Sequence, residues 1–292
     1  FKLTIFSKDV SDFFTNLVTS NIQSREKHGI VRPDMIHLLL EARKNGLKHD
    51  EKQLVQDAGF AAVEESEIHK DPKNTKLKIT DQDITAQALV FFFAGFDSVA
   101  ALMCFMAHEL AVNPDVQKKL LLEVDETLDF CKGKITYEAL LGMKYMDMVV
   151  SETLRKWPNA VVSDRVCTKA YTIEPKFPDE EPVHLDINDA VSFPVYGIHR
   201  DPHYYPEPER FDPERFNDEN KANINPYTYM PFGAGPRNCI GSRFALLETK
   251  TLFFYILSHF ELVPVEKTQI PLVLSKTQLN LSSENGFWLG LR

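Results

Sequence analysis

Cysteine is scarce in this chain of 292 residues, which contains only four. Cys104, Cys131, Cys167 and Cys239 are far apart and lack the spacing of a metal cluster or a disulfide framework. This excludes the class of small disulfide-stabilised secreted domains and fits a reducing compartment, in which one cysteine can remain a free thiolate. We interpret the first three as ordinary packing or surface residues.

Positive charge is also in short supply, because 33 lysines and arginines face 42 aspartates and glutamates. The chain has no basic stripe interleaved with aromatic residues, which argues against a nucleic-acid partner. It shows no initiator methionine, no signal sequence and no uninterrupted apolar run of about eighteen residues, since Asp97 interrupts the longest candidate. The apolar fraction of 43% suffices for a sizeable core, and no linker composition divides the chain, so we predict a single domain over residues 1–292.

The most informative segment is the decapeptide FGAGPRNCIG at residues 232–241. Its glycines leave the backbone open to a bulky planar ligand and allow positive φ. Apolar spacing predicts a helix over residues 242–260, so Cys239 lies just before a helix N-terminus, where free amides and the helix dipole favour an anion. Arg237 stays charged and can pair with a carboxylate of the same ligand. An isolated cysteine beside a turn is commonly a buried packing residue, but these features together favour a metal-binding thiolate.

This decapeptide resembles the haem-binding loop F-x-x-G-x-R-x-C-x-G of the cytochrome P450 superfamily at every specified position. The resemblance implies that Cys239 is the proximal ligand of the haem iron, and electron donation by such a thiolate favours O–O cleavage. It implies that Arg237 binds a haem propionate and that Phe232 keeps water from the sulfur. The further haem contacts implied are Gly233, Ile240, Gly241 and Ala245. The implied fold is mainly α with small β-sheets, the C-terminal portion of the P450 fold.

A long helix is predicted over residues 83–112, apolar on most faces and therefore expected to run through a core. Its centre carries the segment AGFDS at 94–98, in which an acid and an alcohol need partners if buried. One alternative is a simple kink at Gly95, with Ser98 bonded to a carbonyl one turn back. The segment resembles the A-G-x-D-T oxygen-binding groove of the superfamily, which implies a groove at Ala94 and Gly95 and proton delivery to dioxygen by Asp97 and Ser98. Serine replaces the usual threonine, so the hydroxyl loses the β-branch that restrains it.

A second motif, Glu152-Thr153-Leu154-Arg155, lies in the helix predicted over residues 142–157. A spacing of three puts both charges on one helix face, and taken alone the pair is an exposed ion pair of little energetic weight. In the superfamily this motif is buried and joined by an arginine from a later loop. The segment DPERF at 212–216 resembles that loop, which makes Arg215 the implied third member of a structural network.

The stretch that follows this helix resembles the superfamily in two ways. Arg165 matches a second propionate contact, although an arginine near a strand, predicted here at residues 170–173, is more often simply solvated. Ala160, Val161 and Val162 correspond to a segment that faces the substrate, and small apolar residues suit an apolar pocket.

The remaining patterns are less specific. Residues 194–236 hold eight of the seventeen prolines and predict an ordered meander, in which His199 is expected to be a hydrogen-bonded surface or capping group without a catalytic role. Amphipathic helices are predicted at 10–28 and 34–44, an exposed connection at 64–78, and strands at 270–274, 278–281 and 286–291.

The resemblance covers about the last three-fifths of a typical superfamily member and is strongest to microsomal animal enzymes, including those of insects. It implies a monooxygenase that inserts one atom of O2 into an apolar small molecule, with electrons from NADPH through a separate flavoprotein reductase. An N-terminal anchor in the endoplasmic reticulum membrane and several early helices are expected to precede this segment, which alone would lack part of the haem pocket. The alternatives are a haem-thiolate isomerase or dehydratase without a reductase, and a truncated non-catalytic haem-binding protein.

Overall fold

The computed structural model describes residues 7–45, 59–63, 79–278 and 280–292, which form helices and three two-stranded antiparallel sheets. The helices are α1 Lys8–His28, α2 Met35–Asn45, α3 Asp81–Val112, α4 Pro114–Phe130, α5 Tyr137–Gly142, α6 Lys144–Lys156, α7 Val195–Ile198 and α8 Ser242–Leu257. The sheets pair β1 Ser163–Val166 with β4 Ala190–Phe193, β2 Tyr171–Ile173 with β3 Val183–Leu185, and β5 Leu262–Pro264 with β6 Leu289–Leu291. Short 3-10 helices lie at Pro213–Phe216, Lys221–Asn223 and Gly235–Arg237. The predicted class, mainly α with small sheets, is confirmed.

The chain divides into two compact units. Unit 1 comprises Phe1–Gln56 and Ile68–Ser98, and unit 2 comprises Asp57–Glu67 and Val99–Arg292. The single domain inferred from composition stays a prediction.

Unit 1 contains a small buried apolar cluster and an ion pair with two hydrogen bonds. The buried cluster consists of Val18, Ile22, Leu40 and Ile84. Both terminal nitrogens of Arg25 in α1 donate to the carboxylate of Asp34, at 2.7 and 2.6 Å, which lowers the pKa of Asp34 to about 2. Helix α3 begins with a reciprocal cap, because the amide of Asp83 donates to the hydroxyl of Thr80 and the amide of Thr80 donates to the Asp83 carboxylate.

Helix α3 differs from the sequence-based expectation along its first half. Phe91, Phe92 and Phe96 are 44%, 54% and 70% exposed, so this half does not run through a core formed by the described residues. The second half does, because Leu102, Phe105, Met106 and Leu110 are buried. By length and composition alone α3 could cross a membrane, because an 18-residue stretch of it has a mean hydropathy of 2.1. A single helix of this type is weak evidence, because core helices of soluble proteins share the same composition.

Unit 2 is built on α4, α6 and α8, whose apolar faces meet in one core. The fully buried members of that core include Leu120, Met146, Val150, Leu246 and Phe253. Helices α5 and α6 are separated at Met143, so the helix predicted from residue 142 begins at Lys144, and it ends at Lys156 shortly before Pro158.

Several strand predictions need correction. Arg165 lies inside β1, which pairs with β4, and neither strand was predicted. The stretch 270–274 forms only an isolated bridge from Leu274 to Ser283, since Pro271 removes a backbone donor. In 278–281, residue 279 is not described and the others form no strand, while 286–291 is reduced to β6. The connection predicted at 64–78 lies outside the described residues.

Candidate functional site

The loop that carries Cys239 is closed by its own backbone. The amide of Cys239 donates to the carbonyl of Phe232 at 2.8 Å, and the amide of Gly233 donates to the carbonyl of Met230 at 3.1 Å. Gly233 and Gly235 both have φ of 73°, a left-handed conformation that other residues adopt only with strain. The expectation of positive φ therefore holds for these two glycines but not for Gly241, whose φ is −100°.

Helix α8 begins at Ser242, three residues after Cys239, and most side chains of the loop are exposed. The Cys239 thiol is exposed, and the apolar side chains of Ile240 and Phe244 are 83% and 66% exposed. Ala245, the next residue of the helix, is buried. An exposed thiol thus lies beside an exposed apolar surface at the N-terminal end of α8.

Two arginines flank this loop. Arg237 is exposed, and its guanidinium forms no hydrogen bond or ion pair with any residue in the described part of the chain. Arg165 reaches the loop from β1, where Nη2 donates to the carbonyl of Ala234 at 3.3 Å and Nη1 donates to the carbonyl of Asp164 at 2.7 Å. The structure therefore brings together the thiol and both guanidinium groups predicted from the sequence.

These residues fit a haem. A thiolate suits iron, exposed Ile240 and Phe244 suit an apolar macrocycle, and guanidinium groups pair with carboxylates. A side chain added at Gly235 would meet no heavy atom within 4 Å, so the backbone there is open to a large planar group. No cluster of three or more His, Cys, Asp or Glu residues suited to holding a metal ion occurs among the described residues.

The residues of the second motif form a buried network in unit 2. Arg155 Nε donates to Glu152 Oε2 at 2.6 Å and Nη2 donates to Oε1 at 2.9 Å, with both side chains fully buried. Arg215 Nε lies 3.6 Å from Glu152 Oε1, and the amide of Asp212 donates to the same oxygen at 2.9 Å. Burial raises the pKa of Glu152, and the bonds from Arg155 oppose that shift. The pair is thus not the exposed ion pair that the motif alone suggests.

His199 is fully buried, so the expectation of a surface group is wrong, although it is hydrogen-bonded as predicted. Its Nε2 accepts from the amide of Met230 at 2.9 Å and its Nδ1 donates to the carbonyl of Arg155 at 3.1 Å. Burial lowers its pKa to about 4, so the ring stays neutral. Its ring stacks on Tyr229, whose hydroxyl donates to the carbonyl of Ser151 at 2.9 Å. Sequence reasoning missed this link between α6 and the cysteine loop.

The segment 94–98 belongs to unit 1. Ser98 Oγ donates to the carbonyl of Ala94, which is the bond expected under the structural alternative. Asp97 is exposed, and a side chain added at Gly95 would meet no heavy atom within 4 Å. Packing among the described residues therefore does not explain a glycine at this position.

The residues expected to face the substrate lie in unit 2, between α6 and β1. Ala160 is exposed and Val162 is 51% exposed, while Val161 is half-buried and its carbonyl accepts from the amide of Tyr196 at 3.0 Å. Two of these three side chains are thus available for contact with an apolar molecule.

Comparison with known proteins gives a consistent result. The family model described as Cytochrome P450 matches residues 4–289. The chain is 49% identical over 289 residues to "Cytochrome P450 9e2" of Blattella germanica, and the match covers 99% of the chain and 51% of that protein. It is 46% identical over 291 residues to "Probable cytochrome P450 9f2" of Drosophila melanogaster, covering 99% and 52%. It is 39% identical over 281 residues to "Cytochrome P450 3A9" of Rattus norvegicus, covering 95% and 49%. The chain spans about half the length of these curated relatives.

Proposed function

The chain belongs to the cytochrome P450 family, and from this premise we propose that the whole protein is a haem-thiolate monooxygenase. It inserts one atom of O2 into an apolar small molecule and reduces the other atom to water. The observation that carries the proposal is the exposed Cys239 thiol, held in a glycine loop before α8 between two arginines.

The loop residues bind and orient the cofactor. Cys239 binds the iron as a thiolate, and Arg237 and Arg165 neutralise the propionates. Phe232 is half-buried at the start of the loop, where it limits the access of water to the sulfur. When bound, the haem supplies the activation of dioxygen, while the protein supplies position and electrostatics.

Proton delivery is assigned to Ser98 and Asp97. Because Ser98 donates its hydroxyl hydrogen to the carbonyl of Ala94, the lone pairs of Oγ are left to accept a hydrogen bond, so Ser98 orients a neighbouring proton donor and does not give up its own proton. Asp97 is exposed and supplies a carboxyl group one residue away. Gly95 and Ala94 leave room beside them for a small molecule such as dioxygen.

The wider setting is proposed from the family. Electrons come from NADPH through a separate flavoprotein reductase, and Ala160, Val161 and Val162 contact the apolar substrate. The protein is anchored in the endoplasmic reticulum membrane with its catalytic part on the cytosolic face.

The ligand assignment is tested by the spectrum of the reduced, carbon-monoxide-bound full-length protein. We expect the red-shifted Soret band of a thiolate ligand in the wild type and in Cys167→Ala, a matched control, because Cys167 lies outside the loop. In Cys239→Ala this band should be lost, since no other thiol replaces the ligand. A normal thiolate band in Cys239→Ala, or an imidazole-type band in the wild type, would overturn the assignment.

Turnover separates the alternatives. Consumption of NADPH with reductase and dioxygen, coupled to an oxygenated product, supports a monooxygenase. Rearrangement of a peroxide without reductase would identify an isomerase or dehydratase instead. A thiolate spectrum with neither reaction would indicate a non-catalytic haem-binding protein.

A further inference from the structure

A short segment that no motif marks is anchored in the core of unit 2. In sequence, residues 59–63 lie between α2 and α3, but they pack against α6 and α8. Gly59 has φ of 124°, and a Cβ added there would lie 2.0 Å from Asp147 Oδ1. The amide of Phe60 donates to Asp147 Oδ2 at 2.9 Å. Only glycine fits at position 59, because the carboxylate lies directly against its backbone.

The carboxylate that holds this segment is itself fixed by a buried lysine. Lys250 of α8 is fully buried, and its Nζ lies 2.8 Å from Asp147 Oδ1. Lysine is almost never fully buried unless paired, because desolvation of its charge is costly. The pair therefore ties α6, α8 and the backbone at Gly59 together at one point.

The side chains of the segment continue into the core. Ala61 is 3% exposed. The ring of Phe60 lies 5.3 Å from the ring of Phe216 and 5.4 Å from the ring of Tyr229. Aromatic pairs at this distance contribute beyond simple burial. Phe60 thus packs against Tyr229.

Tyr229 also contacts a residue that leads to the cysteine loop. Its ring stacks on His199 at 5.5 Å, and His199 Nε2 accepts from the amide of Met230 at 2.9 Å. The carbonyl of Met230 in turn accepts from the amide of Gly233 in the loop. A continuous chain of contacts therefore connects Phe60 to the loop that carries Cys239.

We propose that Phe60, anchored by Gly59, Asp147 and Lys250, is a positioning residue for the cysteine loop. It supports the ring of Tyr229, which stacks on His199, and His199 in turn holds the amide of Met230 just before the loop. The role toward a haem rests on the proposed function, but the mechanical link to the loop does not.

Amide hydrogen exchange of the full-length holoprotein tests this link. In Phe60→Ala we expect the protection of the amides of Met230, Gly233 and Cys239 to fall by about tenfold or more, because loss of the ring lets the segment open locally. Phe287→Ala is the matched control, since Phe287 is also half-buried and packs on Phe105, away from the loop. It should leave these amides unchanged. Phe60→Leu keeps most of the apolar volume and should give an intermediate loss, so the test remains available if Phe60→Ala fails to fold.

A second readout concerns the thiolate. The reduced, carbon-monoxide-bound Phe60→Ala protein should lose its thiolate-type band several-fold faster on standing than wild type and Phe287→Ala. Unchanged exchange at the loop in folded Phe60→Ala or Phe60→Leu protein overturns the inference. Absence of a thiolate band in the wild type would instead overturn the proposed function, and exchange would still report on the link.

Discussion

Replacing Arg155 by methionine isolates a buried carboxylate while keeping most of the side-chain volume. Arg155 and Glu152 are both fully buried, and the arginine donates to both oxygens of the carboxylate. Arg155 also donates to the carbonyls of His199 and Pro208, each at 2.8 Å. The substitution therefore removes the closest counter-charge of Glu152, which keeps only the amide of Asp212 and the more distant Arg215, and takes one donor from each of the two carbonyl oxygens.

The loss of folding stability follows from the buried carboxylate of Glu152 that remains. Breaking a buried ion pair by removing one partner costs about 3–5 kcal/mol, because the remaining charge is uncompensated. Burial already raises the pKa of Glu152, and loss of the opposing Arg155 raises it further. The folded variant then binds a proton that the unfolded chain releases near pH 4–5, so its stability increases as the pH falls. The deficit relative to wild type should therefore be largest at high pH and shrink as the pH falls.

Guanidinium unfolding of the full-length protein at pH 8 and pH 6, followed by circular dichroism, measures this deficit. Arg25→Met is the matched control, because Arg25 also binds a carboxylate through two nitrogens, but its partner Asp34 is 33% exposed and can be rehydrated. We expect that control to cost about 1 kcal/mol or less. A double variant with Glu152→Gln should lose the pH dependence. A cost below about 1 kcal/mol for Arg155→Met, or the same deficit at both pH values, would refute the reasoning.

Two further predictions concern single groups. His199 has a pKa of about 4, below its ordinary value, so its contribution to stability is complete above about pH 6.5 and is lost as the pH falls toward 4. Exchange of the ring C2 proton, followed by mass spectrometry, should titrate near 4, and a midpoint near the ordinary value would contradict the bond from Met230. Ser98→Ala should keep the thiolate-type spectrum but lower the product formed per NADPH consumed, and Ser98→Thr should retain it. An unchanged ratio in Ser98→Ala would remove the hydroxyl from proton delivery.

Local patterns predicted the local arrangement of the cysteine loop and of the Glu152–Arg155 pair. The cysteine loop is continuous in sequence, so the spacing of its glycines, Arg237 and Cys239 is enough to predict that they lie in one loop. The spacing of Glu152 and Arg155 likewise placed both on one face of α6. Spacing could not show that this face is buried, because burial depends on the carbonyls of His199 and Pro208 from a distant meander.

Strands were predicted less well for a physical reason. Three of the four residues of β1 are exposed, so no apolar alternation marks it, and its pairing with β4 comes from a partner more than twenty residues away. The stretch at 270–274 is the opposite case, in which a strand is predicted but does not form. Its apolar residues favour a strand, but Pro271 limits the ladder, and only Leu274 finds a bridge partner.

One sequence feature does indicate the anchoring of residues 59–63, namely a lysine on the buried face of α8. The buried face of α8 carries Leu246, Phe253 and Leu257, and Lys250 lies on that same face between them. A charged residue on the core face of an amphipathic helix requires a partner of opposite charge, because an unpaired buried charge is too costly to retain. The pattern on α8 therefore predicts a buried carboxylate on a neighbouring element. It cannot identify Asp147 as that carboxylate or Gly59 as its neighbour, since both positions follow from how the helices pack and not from any repeat along the chain.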